Sequence, residues 1–280
     1  MKDSYANKKV YLGSQHKKEL AIAQVLSKGL NISLIPAPWD TDAFGTFSGE
    51  IKRKLSIRDT LRAKAENTHK IYKADLVLVS EGSFGPHPQI PLINSNHEML
   101  LLKDFSKNRE IFAQTIGVKT NIDEIELTKF EDAKEFLKRS RFGSHGMIIA
   151  DRKENPLYIK KGIISLAELK KEFHKILKDY QKVYLSTDMR AHMNPTRMKV
   201  IRKAAGELVK MIKSICPQCQ CPGWDVVDYV EGLPCSQCEL PSTTIKELVY
   251  KCQECGYKEN KPRLDKKAYI APDHCEFCNP

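Results

Sequence analysis

All nine cysteines of this 280-residue chain lie beyond residue 215, and eight of them form four Cys-x-x-Cys pairs: Cys216/Cys219, Cys235/Cys238, Cys252/Cys255 and Cys275/Cys278. A Cys-x-x-Cys turn presents two sulfurs on one knuckle, about 2.3 Å from a tetrahedral Zn2+, and two knuckles complete a closed four-thiolate site. Four pairs therefore predict two structural zinc ions. In a reducing compartment such pairs read as metal ligands; a reversible disulfide and an iron–sulfur cluster are the competing chemistries. The pairs are separated by 15, 13 and 19 residues. The 15- and 19-residue gaps suit sequential pairing, first with second and third with fourth, while spacing alone leaves a cross-braced pairing open. Cys221 and His274 are spare ligands that would shift the register.

The cysteine-rich segment has few large apolar side chains, among them Trp224, Leu233, Tyr250 and Tyr257. That is too few for a core, so bound metal is expected to supply much of its folding free energy. Closed sites also leave no open position for a substrate, which makes the zinc ions staples. Charge points the same way. From Ser214 onward there are 7 Lys+Arg against 10 Asp+Glu, which from totals of 46 and 35 leaves 39 basic and 25 acidic residues before it. Two four-thiolate zinc sites would add about −4 to the acidic tail. An anionic partner is thus expected to meet the domain over residues 1–213, and the zinc module over 214–280 is a poor phosphate grip. Residues 1–9 are polar and lack the apolar core of a signal peptide. No apolar run approaches the roughly 20 residues of a membrane span. A cytoplasmic protein without a membrane partner is the expectation; its oligomeric state is not legible.

The first 213 residues alternate strands and helices. Val10–Gly13, Ile32–Ile35 and Asp75–Val79 read as strands, with helices over about 20–29 and Ile57–Lys70 between them. Met99–Leu102 and Ile111–Val118 read as strands of a hairpin around Ser106-Lys107-Asn108. A short helix over Phe130–Lys138, short strands at Met147–Ala150 and Tyr158–Lys160, a helix through Leu166–Tyr180 and a strand at Val183–Ser186 follow. Asn194 caps a last helix with Pro195 in its first turn. The pattern predicts an α/β fold, a mixed-sheet N-terminal domain followed by a small zinc-ribbon-like module.

Three stretches carry more polar chemistry than connections require. Ser14-Gln15-His16-Lys17-Lys18 joins the first strand to the first helix, where backbone N–H groups and a lysine can receive phosphate. Asp40 to Glu50, with Asp42, leads to the helix carrying Asp59 and Lys64. Glu81-Gly82-Ser83-Phe84-Gly85 begins where an apolar strand ends, the place at which open α/β sheets build sites. A carboxylate there can hold Mg2+ or Mn2+. Arg190, His192 and Arg197 flank the N-terminus of the last helix, a good anion site.

The strings Asp40-Thr41-Asp42 with Phe44 to Glu50, Ser80 to Pro88, Thr187 to Met198 and Cys275 to Pro280 resemble an uncharacterised bacterial family, a domain of unknown function, and that resemblance brings no activity with it. More distantly, over roughly residues 8–90, the order of elements is similar to the inosine triphosphate pyrophosphatase-like superfamily. Those enzymes remove pyrophosphate from non-standard nucleoside triphosphates using Mg2+. The resemblance implies Lys17 (or Lys18) as an early phosphate contact, Lys64-Ala65 as the helical Lys-Ala, Glu81 as the acidic residue after the central strand and Asp59 as a metal-binding carboxylate. The usual Thr-x-Asn and the terminal Ser-His-Arg of that superfamily have no clear counterpart.

The expectation is a metal-dependent hydrolase acting on a nucleotide or another phosphorylated small molecule. Glu81, Asp42 and Asp59 would be its catalytic carboxylates. Ser14, His16, Lys17, Lys64, Ser83, Arg190, His192 and Arg197 would bind substrate. A nucleic-acid-binding or RNA-processing protein is the alternative, although aromatic residues make up only 8% of the chain. A non-enzymatic scaffold is the third. Convergence of Glu81, Asp42, Lys64, Arg190 and His192 on one cleft would separate the first from the others.

Overall fold

The computed structural model describes residues 5–45 and 54–280. The motif residues Thr46 to Glu50 and the side chain of Asp42 lie outside what is described. The chain divides into two compact units, one ending at Val209 and the other spanning Lys210–Pro280.

The first unit is built on two sheets. In the larger one the strand order is β2-β1-β3-β4-β5. Strands β1 (Lys9–Gly13), β2 (Ser33–Pro36) and β3 (Leu76–Pro86) run parallel. Strands β4 (Asn94–Asp104) and β5 (Arg109–Gly117) continue the sheet antiparallel. Parallel strands need crossovers, which α1 (Glu19–Leu30) and α2 (Ile57–Tyr72) supply. α1 stops where Asn31 turns left-handed, and α2 starts on Ser56, whose hydroxyl accepts from the Asp59 N–H at 3.1 Å. Buried positions on α2 are Thr60, Leu61, Lys64, Ala65 and Thr68, a stripe at helical spacing that presses Leu61 and Ala65 onto Val77, Val79 and Leu101.

The segment Ser80 to Pro86, read from sequence as a loop after a strand, is strand throughout. β3 runs eleven residues and pairs with β4 from Leu76↔Asp104 to Pro86↔Asn94, whereas β1 leaves it at Val79. Its glycines are therefore not turn formers. A β-carbon on Gly82 would lie 2.5 Å from the Arg197 guanidinium and 2.7 Å from the Glu98 carboxylate, so the residue is small to admit that pair.

The second sheet, order β6-β9-β7-β8, is antiparallel throughout. It comprises β6 (Glu124–Leu127), β7 (Met147–Ala150), β8 (Ile159–Ile163) and β9 (Val183–Thr187). The region expected as one helix from Phe130 is a 3-10 turn followed by α3 (Lys134–Arg139). α4 (Leu166–Asp179), capped by Ser165, lays Leu169, Phe173 and Ile176 on this sheet, over a core that includes Phe136, Ile149 and Leu185. α5 (Pro195–Lys213) follows, its first turn capped by Asn194, whose side-chain oxygen accepts from the Arg197 N–H at 2.9 Å. The two units divide within the last turn of α5.

The second unit has one three-stranded sheet, with β11 (Ile245–Lys251) between β10 (Asp225–Glu231) and β12 (Lys258–Pro262), all antiparallel. Its buried groups form two small clusters, one with Cys216, Cys252 and Trp224, the other with Cys235, Cys275, Leu233 and Ile270.

Candidate functional site

Where β1 ends and β3 continues, the chain builds a small charged cleft. Gly13 closes β1 against α2 so tightly that a β-carbon would meet the Thr68 hydroxyl at 1.9 Å. Beyond it, His16 and Lys17 are both left-handed, at φ 68° and 55°. Non-glycine residues adopt that conformation at a cost, and here it reverses the chain. Ser14 and His16 line the cleft, Lys17 points to solvent, and Lys18 turns inward and is buried. The inner lysine is thus Lys18. Lys17, the primary expectation from sequence, is outside because two successive left-handed residues swing its side chain away.

Lys18 donates to the Ser80 hydroxyl at 2.9 Å. Burial, then the nearby Arg197 and Lys64, lower its pKa to about 7, against the pull of Glu98 and Glu81. Lys64 reaches across from α2 to the Glu81 carboxylate, N–O 2.5 Å, with both side chains buried. Arg197 is 1% exposed. Its Nε bonds Glu98 at 2.7 Å, one Nη donates to the Met189 carbonyl at 2.6 Å, and its guanidinium lies over the Phe84 ring at 5.4 Å. Arg190 forks onto the wholly buried Asp188, at 2.6 Å through Nη2 and 3.0 Å through Nε. Lys161 from β8 completes the basic wall.

The cleft therefore gathers Ser14, His16, Lys64, Glu81, Arg190 and Arg197, from segments far apart in sequence. His192 stands behind its rim, its ring stacked on His16 at 5.2 Å. Burial, followed by Arg190, lowers its pKa, and its Nδ1 is buried without a hydrogen-bond partner. Ser83 is a half-buried strand residue that does not line the cleft. Asp59 is not brought to it either. It is exposed at the start of α2 and held by Ser56 and Arg62, and five residues along a helix place it about 140° around from Lys64. Sequence reasoning missed Ser80, Glu98 and Lys161. For Glu98 a signal existed, a carboxylate directly before the apolar run Met99 to Leu102, since a charge in a buried strand needs a partner. Lys161 carried no such signal.

The cysteines form two four-thiolate groups, Cys216, Cys219, Cys252 and Cys255 in one and Cys235, Cys238, Cys275 and Cys278 in the other. The pairing is cross-braced, first knuckle with third and second with fourth, and the sequential pairing favoured by gap length is corrected. The sheet explains it. β10 and β11 are antiparallel with Asp225 opposite Lys251, so the knuckle before β10 meets the knuckle after β11. The second knuckle lies beyond the other end of β10, and β12 carries the chain back toward that end, where Cys235 bridges Ile270. Sulfurs across the groups are 3.5 and 3.8 Å apart in the first and 3.6 and 3.8 Å in the second. A tetrahedron with 2.3 Å metal–sulfur bonds has edges of about 3.8 Å, and a disulfide would need about 2.05 Å. The donor set thus fits a metal in each group. Three knuckles repeat one turn: Gln220, Glu239 and Gly256, each four residues after a first cysteine, are left-handed and donate N–H to that cysteine's carbonyl. Cys221 and His274 belong to neither group.

Fold and sites together define an α/β protein with a basic, carboxylate-studded cleft and a C-terminal module carrying two cross-braced four-cysteine groups, each of a geometry that fits a metal ion. The chain belongs to the family described as Domain of unknown function (DUF6671), whose model matches residues 64–280. That range takes in Lys64, Glu81, Arg190, Arg197 and every cysteine ligand; Lys18 and the Asp40–Glu50 string precede it. No curated protein matches the chain. Among solved structures, the crystal structure of protein VC0702 from Vibrio cholerae is similar over 74% of this chain and 96% of that one, at 8% identity and a TM-score of 0.36. A likeness of that size carries no argument about this chain. No helix among the described residues is long and apolar enough to cross a membrane.

Proposed function

We propose that the first unit is a hydrolase for a nucleotide or other phosphorylated small molecule, and that the second is a structural module holding two zinc ions. The observation that carries the first part is the meeting of Lys18, Lys64, Arg190 and Arg197 with Glu81 in one concave site. Four cations around a small cavity suit a ligand with several phosphate charges. Glu81 is the carboxylate positioned to hold Mg2+, and one protein carboxylate with the ligand's own phosphates is a common coordination for that ion. Bound there, Mg2+ would neutralise phosphate charge and orient a water. Lys64 and Glu81 neutralise each other in the free cleft, so an arriving phosphate gives Lys64 a new partner and frees Glu81 for a cation. Arg190 and Arg197 are fixed by Asp188 and Glu98 before ligand arrives, which lowers the ordering cost of binding.

Release of phosphate or pyrophosphate from a panel of phosphorylated compounds with Mg2+ or Mn2+, abolished by Glu81→Gln, is the expected result. No turnover of any compound, with salt-sensitive retention of RNA, would favour the nucleic-acid alternative. The closed thiolate sites support a structural role for zinc, because four sulfurs leave no position for a reacting ligand.

A further inference from the structure

The cleft holds its cations in two ways. Lys64, Arg190 and Arg197 are each bonded to a carboxylate, of Glu81, Asp188 and Glu98 respectively. Lys18 is bonded to a hydroxyl, Ser80, and sits buried with Arg197 and Lys64 as neighbouring cations; the nearby carboxylates, of Glu98 and Glu81, are bonded to those same two cations. A carboxylate keeps an ammonium protonated. A hydroxyl does not, because Ser80 can accept from the ammonium or donate to the free amine. Desolvation and adjacent cations are the setting that makes a lysine amine nucleophilic near neutral pH. The same walls that disfavour the proton on Lys18 attract anions, so an electrophile bearing a phosphate is drawn to that amine.

We propose that Lys18 is a covalent modification site for small acyl phosphates, which the arginines of the cleft steer to its amine. The unprotonated Nζ attacks the acyl carbon, and the carbon–oxygen bond to the phosphate breaks. Inorganic phosphate leaves with the bond electrons and takes up the proton lost by the amine, and an amide remains on Lys18. No oxidant or further reactant enters. The product has lost its charge, so the modified cleft lacks the inner cation and binds phosphate ligands less well. The modification thus regulates the site proposed above. It rests on that site's taking phosphorylated ligands and not on its hydrolysing them.

The full-length, metal-replete protein is incubated with acetyl phosphate near pH 8, and acetylation of every lysine is followed over time by mass spectrometry. Lys18 is expected to be acetylated at least about tenfold faster than exposed lysines such as Lys107 and Lys199. Pyrophosphate should suppress labelling of Lys18 alone, and N-acetylimidazole, which has no phosphate, should show little preference for it. Acetylation of Lys18 no faster than of the exposed lysines overturns the proposal, as does selectivity that pyrophosphate leaves unchanged. Selective, pyrophosphate-protected labelling with no turnover in the substrate panel would sink the hydrolase and leave this site standing; turnover without labelling would do the reverse.

Discussion

Gly82 and Arg197 are fitted to one another: the guanidinium occupies the space that any side chain on Gly82 would take, at 2.5 Å from its would-be β-carbon. The contact lets Arg197 meet Glu98 with both side chains 1% exposed, under α5. Gly82→Ala displaces the ends of both side chains inside the protein without removing either. Overpacking of that kind costs about 1–3 kcal/mol, less than the loss of one partner of a buried ion pair, and a drop of that order in unfolding free energy is expected by chemical denaturation. A loss below about 0.5 kcal/mol, the range of neutral surface changes, would mean that Arg197 shifts at no cost.

Cross-bracing makes opposite forecasts for two double substitutions. Cys216→Ser with Cys252→Ser removes ligands from one site, so one of two zinc equivalents should remain by elemental analysis. Cys216→Ser with Cys235→Ser removes a ligand from each, and both should be lost or weakened. Sequential pairing would invert these results. Exhaustive chelation of the wild type should unfold the ribbon, whose apolar clusters are small; an unchanged signal from Trp224 would contradict this.

Lys18 should leave a mark on stability against pH. Its folded pKa, about 7, lies below the ordinary lysine value of 10.5. Between those values the unfolded chain binds a proton that the folded one does not, so stability rises with pH. Below pH 7 both states are protonated and the burial penalty is present in full. Lys18→Met should therefore stabilise the protein most at pH 6 to 7, with an advantage shrinking by up to about 1.4 kcal/mol per pH unit above that. A pH-independent difference between the two proteins would mean that Lys18 titrates normally.

The same lysine sets how phosphate ligands respond to pH. Pyrophosphate needs the protonated amine, so its affinity should fall as pH rises above 7, with proton uptake measurable by calorimetry in buffers of different ionisation enthalpy. Lys18→Met measured at the same pH cancels the titration of the ligand itself, and should bind weakly with a flat residual profile. Lys17→Ala should bind as the wild type does, because Lys17 points to solvent.

What could be seen in the sequence depended on how local its cause was. Helix starts at Ser56, Ser165 and Asn194 are written in one or two residues, and the hairpin around Ser106–Asn108 in a few more. The eight ligands were visible because Cys-x-x-Cys is a local turn; their pairing was not, because strand order in the ribbon decides it. Ser80–Pro86 looked like a loop because its strand partner begins fourteen residues after Ser80, at Asn94. Lys161 and the inward turn of Lys18 depend on tertiary neighbours, and periodicity does not carry that information.

The interleaved thiolates also order the assembly of the ribbon in time. As the chain emerges, the first group gains its fourth sulfur only with Cys255, and the second only with Cys278. Cys235 and Cys238 lie inside the loop that a metal in the first group would close. In order of synthesis the first group would thus be complete before the second. The span from Glu239 to Lys251 belongs to both closed loops, so a single proteolytic nick there opens both at once, and neither half of the module keeps a complete site.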